Sequence, residues 1–319
     1  MHRRWSLRSA FRSIFRPVGP ASIGPALTEP PADKLPVTVR DFAPHTIVFH
    51  PGIGKTATSA IQRTGLALPV SDPDKACFAP IGVLGGAHNV FASIHPMFDP
   101  EVFERSMAEL IAFTLRRNAP TVVSSEFLMR ERAEKIQELT AALSSAGIQC
   151  QAVFGIREYD GFLMSAYMQA LKVGWGMRQN ETLEDYAKRE ISLIRYPELV
   201  DRWARCIGDD NVFLIEHRER FLSIFFGFLN LSAASIPEVT ETINPSLPIG
   251  AAEIVRSFDL ACDNEIARRK LIEHLMRLTF RPGIEASLRQ CVSQVTGDKY
   301  MHDHARLSER YTWLGPERT

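Results

Sequence analysis

Lys55 stands among residue types that can hold a phosphate. The stretch "HTIVFHPGIGKTATSAIQRTG" (45–65) places Gly52, Gly54 and Lys55 after a short apolar run and before a helix-compatible one. Strand, glycine-containing loop and helix together make an anion cradle, because backbone N–H groups point inward and the helix N-terminus favours negative charge. Lys55 adds a point charge, and Thr56, Thr58 and Ser59 add hydroxyls. The other reading of these residues is a tight turn carrying an exposed lysine.

A nucleoside triphosphate is one candidate ligand. Its loop pattern, G-x-x-x-x-G-K-[ST], requires glycine at position 49 if it ends on Gly54-Lys55-Thr56. Phe49 stands there, still inside the apolar run. Such enzymes normally hold Mg²⁺ with an aspartate ending a second apolar strand. Here "PTVV" is followed by Ser124, Ser125 and Glu126. A kinase using ATP is therefore kept as the alternative.

The elements that must position this loop alternate in type. "HTIVFH", "APTVVSS", "QCQAVFGI" and "NVFLIE" read as short buried strands. Between them, "EVFERSMAELIAFTLRR", "RAEKIQELTAALSSAG", "DGFLMSAYMQALKVG" and "LEDYAKREISLIRYPELVDRWARCIG" have helical periodicity, the last as one continuous stretch. Strands separated by helices predict an α/β fold, a three-layer sandwich with a central parallel sheet covered on both faces. "FLSIFFGFLNLSAASIP", from Phe221, reads as a buried or groove-lining helix. It is interrupted by Gly and Asn, and no stretch reaches the roughly 18 apolar residues of a membrane span.

Residues 1–36 read as a basic, proline-rich tail and linker, and residues 37–319 as one folded domain. The first twenty residues carry five Arg and no acid, and residues 17–36 hold six prolines. Arg4, Arg8, Arg12 and Arg16 recur at helical spacing, but Phe15 falls on their face, so the tail is read as disordered, with weak membrane-surface contact as the alternative. Lys plus Arg and Asp plus Glu number 37 each, so there is no basic excess for a nucleic-acid partner. The five cysteines are scattered, odd in number and without C-x-x-C spacing. That pattern argues against a disulfide framework or a structural zinc and fits a reducing cytoplasm.

"HPGIGKTATSAIQ" resembles the 5′-phosphosulfate loop of sulfotransferases that use 3′-phosphoadenosine 5′-phosphosulfate (PAPS). The usual form there is close to H-I-G-x-P-K-T-G-T-T-x-L-Q, and Lys55, Thr56, Thr58, Ser59 and Gln62 match it in register. Gly54 replaces the proline before Lys, and Ala57 replaces a glycine whose freedom of backbone angle alanine lacks. The same family carries a later strand ending in Arg with Ser eight positions on. "AVFGIREYDGFLMSAYMQ" supplies Arg157 and Ser165 in that relation. "VVSSEFL" and "INPSLP", at Asn244, resemble further bacterial segments, so the likeness covers about residues 45 to 250.

The resemblance implies transfer of a sulfuryl group to a hydroxyl, of a carbohydrate or glycolipid above all. Gly54, Lys55, Thr56, Ala57, Thr58 and Ser59 would hold the 5′-phosphosulfate, Arg157 and Ser165 the 3′-phosphate. No metal is required, since Lys55, Arg157 and loop dipoles supply the neutralising charge. A general base is expected. Glu126 is the first choice, where cytosolic members place a histidine; the competing role is to cap the next helix or pair with Arg130. His88 is the second choice on its intrinsic pKa, and His50 is read as ordering the loop. A catalytically idle nucleotide-binding protein is a further alternative.

Overall fold

The computed structural model describes residues 40–174, 181–218, 220–232, 236, 247–278 and 282–315. The tail over residues 1–36 and the Asn244 segment lie outside the described residues. Six strands form one sheet: β1 (Thr46–Pro51), β2 (Cys77–Phe78), β3 (Thr121–Ser125), β4 (Gln149–Ile156), β5 (Val212–Glu216) and β6 (Thr312–Leu314). Their order is β2-β3-β1-β4-β5-β6, and every neighbouring pair is parallel.

The helices follow in chain order: α1 (Thr58–Leu66), α2 (Pro100–Thr114), α3 (Ala133–Ser145), α4 (Tyr159–Val173), α5 (Leu183–Ile191) and α6 (Tyr196–Ile207). After β5 come α7 (Phe221–Phe228), α8 (Ala252–Ala261), α9 (Glu265–Leu275), α10 (Pro282–Thr296) and α11 (Lys299–Ser308). No helix among the described residues is long and apolar enough to cross a membrane.

Continuous apolar strands arise because both sheet faces are covered. Alternate residues of one strand enter different cores. Ile47, Phe49, Val123, Phe154 and Leu214 join α2, α3, α4 and α6 in one cluster. Val48, Val122, Val153, Phe213 and Ile215 join α1 and α7 in the other. The apolar segment from Phe221 is thereby explained: Phe221, Phe225, Phe226 and Phe228 are all buried against the sheet.

Local chemistry sets the helix starts. Asp99 accepts from the N–H groups of Glu101 and Val102 at the head of α2, with Pro100 in the first turn. Thr182 and Asp185 form a capping box at the head of α5. The helix read as continuous from Leu183 is two helices. α5 stops at Ile191, Arg195 leaves helical geometry at φ −131° and ψ 82°, and α6 restarts with Pro197 in its first turn. A proline ring lacks the donor and clashes with the preceding turn in a helix interior, so it is tolerated only at such a restart.

The chain leaves β1 toward the β3–β2 side and leaves β4 toward the β5–β6 side. Connections departing in opposite directions from adjacent strands open a crevice at their carboxyl ends, where open α/β sheets bind ligands. In this chain that crevice lies between the loop carrying Lys55 and the strand end carrying Arg157.

Candidate active site

Three groups singled out in the sequence come from the ends of three adjacent strands. Lys55 follows β1, Glu126 follows β3, and Arg157 follows β4. The Arg157 Nη1 donates to the Lys55 carbonyl at 2.6 Å across a chain separation of 102 residues. Tyr196 Oη donates to the Arg157 carbonyl at 2.9 Å and fixes the backbone behind the guanidinium. The two cations therefore border one crevice.

The loop's backbone does the unusual work. Lys55 has φ 71° and Ala57 φ 57°, both left-handed, while Thr56 between them is not. Alternating handedness turns successive N–H groups to the same side and makes an anion-binding concavity. Among the described residues, the N–H groups of Gly54, Lys55 and Ala57 donate to nothing. Alanine thus holds the angle that glycine takes without strain. Gly52 is required for a different reason: a Cβ there would lie 2.3 Å from the Thr58 side chain.

The hydroxyls divide. Thr56 Oγ1 donates to the Ile53 carbonyl at 2.5 Å, and Thr58 Oγ1 donates to the same oxygen at 3.3 Å. Both are buried and stiffen the loop from within, so their donor hydrogens are not free for a ligand in this conformation. Ser59 is exposed in the first turn of α1 and has no hydrogen-bond partner among the described residues. Gln62, buried on α1, donates to Ser124 Oγ at 3.3 Å and ties the helix to β3.

Glu126 neither caps nor pairs. Its side chain makes no cap to the short turn Phe127–Arg130 and no ion pair with Arg130. The carboxylate lies beside Gly54, whose added Cβ would stand 4.0 Å from Glu126 Oε2. The residue is exposed, yet the protein packed around its carboxyl raises the pKa by desolvation; Lys55 and Arg130 pull it back. Burial lowers the Lys55 pKa, which Glu126 raises and Lys172 and Arg157 lower further. Burial likewise lowers that of Arg157.

Both histidines named in the sequence are core groups. His88 is fully buried; Ser124 N–H donates to its Nδ1 at 3.0 Å, and its Nε2 donates to the Ala79 carbonyl at 2.8 Å. With both nitrogens engaged and no exposed surface, His88 cannot reach an acceptor hydroxyl, which corrects its candidacy as base. His50 is also fully buried, bonded through Nδ1 to Ser124 Oγ at 2.8 Å, and burial pushes its pKa down to about 3.

Ser165 lies on α4, half-buried and without a hydrogen bond to a described residue. Gly161, one turn earlier on that face, packs against the Arg157 guanidinium: a Cβ there would stand 3.1 Å from Nε. Arg157 and Ser165 thus border one surface. Sequence reasoning missed the groups that close its far side. His217 follows Glu216, the β5 register partner of Ile156, which places it beside Arg157. Ser293 and Thr296 of α10 bond to Asp160, the latter at 2.6 Å. Tyr300 of α11 donates to Glu216 at 3.2 Å.

At the loop end of the crevice Lys55 and Arg157 stand against one carboxylate, Glu126, a balance suited to an anion. Among the described residues, no group of three or more His, Cys, Asp or Glu is placed to hold a metal ion. Comparison with protein families, with curated proteins and with solved structures finds no match to this chain.

Proposed function

We propose that the protein is a PAPS-dependent sulfotransferase that moves a sulfuryl group to a hydroxyl of a carbohydrate or glycolipid in the cytoplasm. One observation carries the reading: Lys55 and Arg157, far apart in sequence, border the same switch-point crevice and are joined through the Lys55 carbonyl. A nucleotide phosphorylated at both 5′ and 3′ positions needs two such cationic points at the ends of one ribose. The P-loop-like cradle of unpaired N–H groups supports the 5′ end, and Ser165 beside Arg157 supports the 3′ end. The odd number and scattered spacing of the five cysteines fit a reducing compartment.

In this mechanism Lys55 and the loop amides hold the 5′-phosphosulfate and stabilise charge growing on the bridging oxygen. Losing one such donor typically costs about 10²–10³ in rate. The acceptor oxygen–sulfur bond forms as the sulfur–oxygen bond to the phosphate breaks, with the electron pair leaving on 3′,5′-adenosine bisphosphate. The acceptor proton goes to Glu126, whose raised pKa makes it a stronger base than an ordinary carboxylate. Lys55, Arg157 and the dipoles neutralise the charge without assigning a metal.

The test is calorimetry of 3′,5′-adenosine bisphosphate in the absence of Mg²⁺. Binding to the wild type, abolished by Arg157→Ala, is expected. Tight binding of Mg-ATP that is indifferent to Arg157 would instead establish a kinase. Transfer of labelled sulfuryl to a sugar panel or lysate, lost in Lys55→Ala and slowed about 10²–10⁴-fold in Glu126→Gln, separates an enzyme from an idle binding protein. Equal turnover in Glu126→Gln removes that residue as the base.

A further inference from the structure

The folded domain is joined to residues 1–39 at a fixed point. The Arg40 N–H donates to Asn230 Oδ1 at 3.2 Å, and Asn230 Nδ2 donates back to the Arg40 carbonyl at 2.8 Å. The Arg40 guanidinium lies over the Phe213 ring, 4.0 Å from its centroid, and Phe42 meets the Phe228 ring edge-on at 5.4 Å. Both rings belong to the amino edge of the sheet. Phe213 is the second residue of β5. α7 runs back from Phe221, packed on Gly155 near the carboxyl end of β4, to Phe228, whose ring is 5.1 Å from that of Phe213. Lys55, Glu126 and Arg157 stand at the opposite edge, about one strand length or roughly 17 Å away. The chain thus joins the domain on the side away from the crevice.

Charge is divided between the two parts. Residues 1–20 carry five Arg and no acid, which leaves 32 basic against 37 acidic side chains in the remainder of the chain. An anionic surface therefore repels the remainder and attracts the tail. Apolar side chains are set among the arginines: Trp5, Leu7, Phe11, Ile14 and Phe15. A lipid interface takes up both kinds. Anionic headgroups attract each guanidinium, multiplying partitioning about fivefold apiece, while indole, phenyl and aliphatic groups bury at the acyl boundary. Nucleic acid would attract the arginines equally but offers Leu7 and Ile14 no apolar medium.

We propose that residues 1–16 bind an anionic lipid surface and tether the domain to it through the Arg40–Asn230 clasp, with the crevice taking no part. The partner is recognised by its negative headgroups together with its apolar interior, so neither charge nor hydrophobic burial suffices alone. Such an anchor is reversible and weakens as salt screens the headgroups. It does not depend on which nucleotide the crevice holds.

The experiment sediments the full chain with vesicles of phosphatidylcholine alone and of phosphatidylcholine mixed with phosphatidylserine. Binding to the mixed vesicles is expected to be at least about tenfold stronger than to the neutral ones. Arg4→Gln, Arg8→Gln, Arg12→Gln and Arg16→Gln combined are expected to cut it about 10²-fold or more. Trp5→Ser, Phe11→Ser and Phe15→Ser combined, at unchanged charge, are expected to cut it at least about tenfold. Wild type that fails to sediment, or sediments equally with both kinds of vesicle, overturns the proposal. So does either variant binding as well as the wild type. Release from the vesicles by saturating 3′,5′-adenosine bisphosphate would place the headgroup in the crevice and overturn it too. Tighter binding to single-stranded RNA than to the mixed vesicles would assign the tail to nucleic acid instead.

Discussion

Ala57 shows how a single side chain can sit against its own preference. An L-residue in the left-handed region costs roughly 1–2 kcal/mol, and such positions persist where the surroundings over-determine them. Ala57 is also the N-cap of α1 without a side-chain cap bond, and glycine is the better residue at that position. Ala57→Gly is expected to leave stability unchanged or raise it by up to about 1 kcal/mol, since its larger unfolded-state entropy offsets part of the relief. Ala57→Val, β-branched, is expected to lower it by about 2 kcal/mol. Urea denaturation of the three proteins checks both signs. The departure from glycine was legible in the sequence; that alanine nevertheless adopts the angle was not, because residue types alone do not announce how the loop closes on the Ile53 carbonyl through Thr56 and Thr58.

At the scale of elements, β1, β3 and α1 are joined through Ser124. His50 of β1, Gln62 of α1 and His88 all bond to this one residue. Because His50 is buried and neutral, its folded pKa of about 3 lies below the ordinary value near 6.5. The unfolded chain therefore binds a proton that the folded one does not between those values, and stability falls as pH drops through that window, by about 1.4 kcal/mol per pH unit for one such group. His88 acts in the same direction. His50→Asn, able to keep a bond to Ser124, is expected to flatten the acid limb of melting temperature against pH; an unchanged slope would remove His50 from this role.

The strands that build this junction are those the sequence shows best. β1, β3, β4 and β5 are strands of five to eight residues, each with an apolar stretch inside it. β2 and β6, of two and three residues, are too short to carry a pattern. Trp203 was equally illegible: its indole donates to the Leu128 carbonyl at 3.3 Å and braces the turn behind Glu126, which nothing local to either residue announces.

Across the whole molecule, the C-terminal helices close what the strand ends open. Thr296 and Ser293 hold Asp160 in the first turn of α4, and Tyr300 reaches Glu216 at the end of β5. Thr296→Val leaves a charged acceptor with one bond fewer and is expected to destabilise by about 1–2 kcal/mol. It should also weaken 3′,5′-adenosine bisphosphate binding, because α10 supports α4 beside Arg157; Thr296→Ser should restore both. The C-terminal third carries no phosphate-loop pattern, so its part in the site depends on topology.

The bond from Arg157 to the Lys55 carbonyl gives the crevice an internal rival for any visitor. That bond occupies one guanidinium nitrogen, Nη1, at 2.6 Å, so an anion that engages the whole guanidinium must displace a neutral oxygen there. Chloride or nitrate, diffuse and singly charged, gains little over that carbonyl, whereas a doubly charged phosphate gains a great deal. A guest with concentrated charge is thereby favoured over small singly charged ions at that one nitrogen, and until it comes the carbonyl holds the guanidinium in its place.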